Sequence, residues 1–269
     1  MKNKKYLVIG NPIKHSLSPN LHNYWIKKNN IEATYSKKQI VENELKQIIS
    51  EVREDKIDGL NVTVPFKKSI LPLVDQLTSK AILAQSVNVV FKEGDAIVGD
   101  NTDITGFALS LKNINYDIKN KKIFILGAGG VTPSIIISLA EAEKICISNR
   151  TKEKAENLKK MNLHKNIDVI NWKEKNENIS KFDMIINTTS LGLKDNDTIN
   201  LDYKKVGENK LFYDVIYNPT KTNFLSEAEK HGNKVENGKM MFIYQAQLSF
   251  ELWHNILPKI DREIIKIIQ

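Results

Sequence analysis

The chain has 269 residues, 41% of them hydrophobic, and a formal net charge of +8. That length suits two domains, and that apolar content can fill real cores, which excludes a disordered chain. The lysines are spread over the whole chain among glutamates, with no aromatic-interleaved basic cluster. Nucleic-acid binding is therefore not expected, whereas a mild positive field favours small anionic ligands.

The start, "MKNKKYLVIGNP", mimics the basic region of an export signal, but its apolar run stops at Asn11-Pro12, too early for export. No stretch approaches the roughly 18 apolar residues of a membrane span. The single cysteine, Cys146, lies in "KICIS" and reads as a buried strand residue. It can form no internal disulfide, so a reducing cytoplasm is expected.

"KYLVIG" reads as a buried strand and residues 19–29 as a helix. "ATYSKKQI" is a second strand, followed by a helix through "ENELKQIISEVRED". "IDGLNVTV" is a third strand, stopped by Pro65, and helices are expected over 66–75 and 78–85. "SVNVVFKEGDAIVGD" alternates in period two around Glu-Gly-Asp, the pattern of a β-hairpin. After a helical stretch over about 104–115, "KKIFILGAGG" restarts the strand-turn-helix pattern. Strands follow at "KICISN", "IDVIN", "FDMIINTTS" and "KLFYDVIY", and the segment from about 240 onward reads as helices. Alternation of this kind makes two α/β domains with mostly parallel sheets. The expected division is 1–104, completed by the helices of about 238–269, and 105–237.

Three places carry candidate chemistry. In "GNPIKHSLSP" Ser18 and Pro19 fit the cap and first position of a helix. A helix start at the carboxyl end of a parallel strand is also an anion site, where Ser16 and Ser18 could grip one carboxylate; both readings stand. In "FILGAGGVTPS" the glycines Gly127, Gly129 and Gly130 follow an apolar strand, as at a pyrophosphate-binding turn. About 20 residues on, where an NAD enzyme carries an acid, stand Asn149, Arg150 and Thr151, with Lys152 and Lys154 beyond. A guanidinium and a hydroxyl welcome a 2′-phosphate, which favours NADP over a mere basic surface turn, with Glu153 a small counter-signal. "NTTSLG", 187–192, ends another strand of that half, either as a dinucleotide contact or as a polar turn. Finally, Lys67 in "NVTVPFKKS" and Asp103 in "GDNTDITGF" both fall at strand ends of the first half. A lysine can protonate the alkoxide left by hydride reduction of a ketone, and a carboxylate can hold that lysine. Taken singly, they read first as a solvated lysine and a helix cap.

The strings "GNPIKHSLSP", "NVTVPFK", "GDNTDITGF", "GAGG", "NRT", "NTTSLG", "YDVIYNPTKTNFL" and "Q…F…W", in this order from about 8 to 253, resemble the shikimate dehydrogenase family. The resemblance implies a substrate domain and a Rossmann-like NADP domain, with reduction of 3-dehydroshikimate to shikimate by NADPH in a cleft, on the way to chorismate and the aromatic amino acids. It implies Lys67 and Asp103 as the catalytic pair. Ser16, Ser18, Thr63 and Tyr217 would hold the substrate carboxylate, and Asn61, Asn88 and Gln245 its hydroxyl side. Gly127, Ala128, Gly129, Gly130, Asn149, Arg150, Thr151, Thr188, Ser190 and Gly238 would hold NADP. No metal is expected, and the chain is taken as a monomer or homodimer. The chain departs from the family pattern at Ser86 and Val90, expected near the substrate, at Val131-Thr132-Pro133, which lacks an arginine, and at Ala246, which replaces glycine. An NAD-using quinate/shikimate dehydrogenase and a non-catalytic shikimate-binding regulator are the competing functions.

Overall fold

A computed structural model describes residues 3–194 and 197–268 and separates into two compact units, 1–106 with 243–269, and 107–242. Division falls inside helices at both crossings of the chain, and each unit has its own six-stranded sheet.

The first unit opens with β1 (Lys4–Gly10), α1 (Ser18–Lys28), β2 (Ala33–Gln39), α2 (Leu45–Arg53) and β3 (Gly59–Val62). β4 (Gln76–Leu77), α3 (Ser79–Ala84), β5 (Val89–Glu93), β6 (Ala96–Asp100) and the start of α4 (Asp103–Asn113) follow. The sheet runs β2-β1-β3-β5-β6-β4. β1 pairs in parallel with both β2 and β3, while β5 and β6 form the expected antiparallel hairpin, turning at Gly94-Asp95. One sheet face packs Ile9, Leu60, Val62 and Val90 against Ile48, Ile49 and Val52 of α2.

Two expectations need correction, and one strand lies outside them. No α-helix covers 66–75: Pro72 supplies no N–H inside that span, and the chain forms successive turns ending in a short 3-10 helix, Leu71–Leu73. The two-residue β4 is too short to register as a pattern. Val90 is not beside a polar site, because its side chain belongs to the apolar core.

The second unit contains the rest of α4, then β7 (Lys122–Leu126), α5 (Thr132–Ser138), β8 (Lys144–Asn149), α6 (Lys152–Lys160), β9 (Ile167–Asn171), β10 (Met184–Asn187), β11 (Leu211–Asp214), α7 (Asn223–Lys230) and β12 (Lys234–Glu236). Its order is β12-β11-β10-β7-β8-β9, and every pair is parallel. Ile123 and Ile125 of β7 pack into one core while Phe124 and Leu126 pack into another, so both faces are covered. That explains why β7 reads as a continuous apolar run rather than an alternating one. β12, a three-residue edge strand, was not foreseen.

α8 (Lys239–His254) returns the chain to the first unit and α9 (Arg262–Ile267) ends it. Trp253 of α8 stacks on Tyr6 of β1 at 4.9 Å and donates Nε1–H to the Val90 carbonyl. Trp25 of α1 donates to the Lys259 carbonyl, and Tyr24 to Asp261. No helix among the described residues is long and apolar enough to cross a membrane.

Candidate functional site

In the first unit β1 has one parallel neighbour on each side, β2 and β3. The carboxyl ends of β1 and β3 therefore mark a topological switch point, the usual place for a ligand in such sheets. The loop 11–17 leaves β1 and the turn 63–70 leaves β3, and Asn11 N–H donates to the Val64 carbonyl across them.

On the first loop Ser18 is not the helix cap. α1 begins at Ser18 itself, and no side chain caps it. Ser18 N–H instead donates to Ser16 Oγ, and the two hydroxyls stand 3.2 Å apart. Freed from capping, both can serve one anion. Thr63 is half-buried at the start of the second turn, its N–H committed to the Ile9 carbonyl.

Lys67 lies in that turn and Asp103 opens α4, and Lys67 Nζ meets Asp103 Oδ2 at 2.5 Å. Both are buried, Lys67 8% exposed and Asp103 5%. The solvated-lysine and helix-cap readings are thereby removed: Asn101 Oδ1 accepts from Ile104 N–H at the start of α4. Asp103 Oδ1 accepts from Asn88 Nδ2 at 3.0 Å, so each carboxylate oxygen has a donor. Asn88 is fixed in turn, its Oδ1 accepting from Thr102 N–H and its Nδ2 also reaching Thr102 Oγ1 and Gln245 Oε1. Asn61, at the third position of β3, donates to the Asn88 carbonyl and to Ser249 Oγ. Lys67, Asp103, Asn88 and Asn61, all buried, thus form one polar cluster with the half-buried Gln245. Ser86 is fully buried beside it, its carbonyl accepting from Asn101.

Sequence reasoning missed Tyr35, Thr102 and Ser249 in this cluster. Ser249 carried a signal, since it follows Gln245 by one helical turn and shares its face. Tyr35 carried none, as a lone aromatic in a strand reads as core.

The second unit has its own switch point, because β7 lies between β8 and β10. The glycine run leaves β7, and "NTTSLG" leaves β10 beside it. Gly127 has φ +120°, and a Cβ there would lie 2.4 Å from Thr188 Oγ1. Only glycine permits that turn. Thr188 Oγ1 donates to the Leu126 carbonyl and meets Thr132 Oγ1 at 3.0 Å, which locks the two loops together. A Cβ on Gly129 would meet nothing nearer than 3.8 Å, so this backbone is open to close approach. Ala128 and Gly130 complete the turn into α5, where Pro133 sits in the first turn.

Asn149 ends β8, with its Nδ2 donating to the Thr151 carbonyl. Arg150 and Thr151 are exposed ahead of α6, and the Thr151 hydroxyl makes no cap bond. Backbone open to approach, a guanidinium and an unengaged hydroxyl at the ends of β7 and β8 suit a dinucleotide carrying a 2′-phosphate.

Asp214 ends β11, fully buried. It accepts from Asn187 Nδ2, Ile216 N–H and Thr222 Oγ1, holding the loops after β10 and β11 together. Burial pushes its carboxyl up to about 6 against the pull of those donors. Ser190 is exposed on the β10 loop, and Gly238 N–H donates to the Ile216 carbonyl. A Cβ on Gly238 would sit 2.1 Å from the Val215 carbonyl oxygen, so glycine is required by backbone contact there. Tyr217 belongs to this unit, half-buried and stacked on Phe242 at 4.3 Å. Among the described residues no group of three or more His, Cys, Asp or Glu is arranged to hold a metal ion.

Two family models match the chain: a shikimate dehydrogenase substrate binding domain over residues 8–90, and shikimate / quinate 5-dehydrogenase over 108–214. A shikimate dehydrogenase (NADP(+)) of Pelagibacter ubique is 55% identical over 98% of both chains. A crystal structure of a shikimate dehydrogenase in complex with NADP+ is 33% identical with a TM-score of 0.91, covering 99% of this chain and 94% of its own. The Listeria monocytogenes shikimate 5-dehydrogenase, in complex with shikimate and NAD, is 29% identical with a TM-score of 0.88, covering 99% and 96%.

Proposed function

Since the chain belongs to the shikimate dehydrogenase family and is an NADP-dependent oxidoreductase interconverting 3-dehydroshikimate and shikimate, we propose that Lys67 and Asp103 are its proton-transfer pair. The observation that carries this is the buried ion pair at 2.5 Å, tied through Asn88 to a cluster of amides and hydroxyls. Bound NADPH supplies a hydride, which turns the substrate ketone into an alkoxide that must gain a proton. The Lys67 ammonium donates that proton. Asp103 holds the ammonium aimed, and Asn88 holds the far oxygen of Asp103 so that the carboxylate cannot turn away.

Ser16 and Ser18 donate to the substrate carboxylate, with Thr63 beside them. Tyr217 is assigned to the same carboxylate on its motif alone. Asn61, Asn88 and Gln245 meet the ring hydroxyls. In the other unit Gly127, Ala128, Gly129 and Gly130 let the pyrophosphate approach the start of α5. Asn149, Arg150 and Thr151 take the 2′-phosphate, while Thr188, Ser190 and Gly238 shape the remaining wall. The first unit is the substrate domain and the second the cofactor domain. A cytoplasmic monomer or homodimer fits a chain with one buried cysteine.

The test is an absorbance assay of nicotinamide reduction with shikimate and with quinate, each with NADP+ and NAD+. Shikimate with NADP+ is expected to be the fastest pair. Faster turnover with NAD+ transfers the chain to the NAD-using quinate/shikimate type, and no turnover in any arm, with shikimate still bound, identifies a regulator.

A further inference from the structure

Asn61 is 6% exposed and has three partners. Its Nδ2 lies 3.1 Å from the Asn88 main-chain oxygen and 2.9 Å from Ser249 Oγ, and its Oδ1 lies 2.7 Å from Tyr35 Oη. A main-chain carbonyl only accepts, so the amide nitrogen must face Asn88 and the amide oxygen must face Tyr35. The phenol is therefore the donor. Ser249 Oγ accepts from Asn61 and places its own proton on the Gln245 carbonyl at 3.0 Å. Both Nδ2 hydrogens are spent in this network, and Tyr35 takes one of the two lone pairs on Oδ1. What Asn61 has left for an incoming molecule is an acceptor, which takes a hydroxyl and refuses a carbonyl.

Tyr35 is itself held firmly. It is 3% exposed on β2, and its ring lies flat on the His22 imidazole, with centroids 4.2 Å apart and planes 4° apart. Trp253 closes the cage at 6.0 Å. Neither ring nitrogen of His22 has a polar partner, so His22 contributes its flat face and not a hydrogen bond.

We propose that Tyr35 is a positioning residue for substrate recognition: its caged phenol locks the Asn61 carboxamide so that Oδ1 is presented to a ring hydroxyl of the substrate. The proposal rests on the reading of Asn61 as a substrate residue. With the phenolic oxygen gone, only two acceptors hold the amide, and both lie on its nitrogen. The amide then samples orientations that the substrate must pull back into place, which appears as a weaker shikimate KM and not as a slower hydride step.

The experiment compares full-length wild type, Tyr35→Phe, Asn61→Ala and the double variant, measuring kcat, KM for shikimate and KM for NADP+, with a thermal melt of each. Phenylalanine keeps the stack on His22. Tyr35→Phe is expected to raise the shikimate KM about tenfold and to leave the NADP+ KM within about twofold. On the Asn61→Ala background the same change should add less than about twofold, because the coupled partner is already gone. If Asn61→Ala raises the shikimate KM and Tyr35→Phe does not, the positioning role is overturned while Asn61 keeps its assignment. An unchanged shikimate KM in Asn61→Ala overturns that assignment and the proposal with it. A full additional effect of Tyr35→Phe on the Asn61→Ala background, or an equal rise in both KM values, marks general damage to the unit and also overturns the proposal. Should Tyr35→Phe not fold, Ser249→Ala, which releases the same amide from its other side, takes its place with the same expectations.

Discussion

Lys67→Ala removes one member of a pair whose side chains are only 11% and 6% exposed. Asp103 then keeps a single donor, Asn88 Nδ2 on Oδ1, and its other oxygen loses the ammonium at 2.5 Å. Leaving a buried charge without its partner costs about 3–5 kcal/mol, much of the 5–15 kcal/mol that holds a typical domain. For a chain of this size the melting temperature should fall by roughly 10 °C. Loss of the proton donor should lower kcat by about 10²–10⁴-fold. The hydroxyls of Ser16 and Ser18 remain, so shikimate should still bind. The assay pairs initial rates at saturating shikimate and NADP+ with calorimetric titration of shikimate, below the variant's melting temperature. Wild-type turnover in a folded variant would refute the assignment of Lys67. Lost turnover together with lost shikimate binding would show that the lysine serves the ground state and not the proton.

Three further outcomes are expected. Arg150→Ala should raise the KM for NADPH by about 10–100-fold and leave that for NADH nearly unchanged, because the lost interaction is a charge-assisted bond to the 2′-phosphate; equal effects on both cofactors would remove that argument. Gly127→Ala forces a Cβ into Thr188 Oγ1 at φ +120° and should cost about 2 kcal/mol or more. Gly129→Ala, with open space around its Cβ, should keep the melting temperature while raising the NADP+ KM, and equal melting temperatures for the two variants would contradict the geometry. For His22, burial first and then the nearby His254 lower the imidazole from 6.5 to about 3. The unfolded chain therefore binds a proton between those values that the folded chain refuses. Stability contributed by keeping His22 neutral is complete above 6.5 and is lost as pH falls toward 3, by up to about 1.4 kcal/mol per pH unit. Melts at pH 7 and pH 5 should show wild type losing more stability than His22→Phe; parallel losses would place the acid sensitivity elsewhere.

Much of this was readable from local pattern. The apolar run of β7, the glycines after it and the Asn149-Arg150-Thr151 run at the end of β8 are consecutive-residue signals. The hairpin of β5 and β6 announces itself by alternation around Gly94-Asp95. Lys67 and Asp103 were visible only as members of motifs, because nothing in the string says whether a lysine is solvated or buried. Local pattern misled where side-chain and backbone bonding compete: Ser18 looked like a cap but bonds to Ser16, and the helix expected over 66–75 gives way to turns around Pro72.

Sequence alone determined the elements that depend on neighbours along the chain: strands, turns, the two α/β halves and the residue types at the strand ends. Tertiary structure decided the contacts across long stretches of sequence. It brought Asp103 onto Lys67, Ser249 of α8 onto Asn61 of β3, and Tyr35 of the edge strand to the same amide. The physical reason is that burial creates the obligation. A charge or an amide taken out of water must find partners, and which partners are within reach is settled by how sheet and helices pack, not by the order of residues.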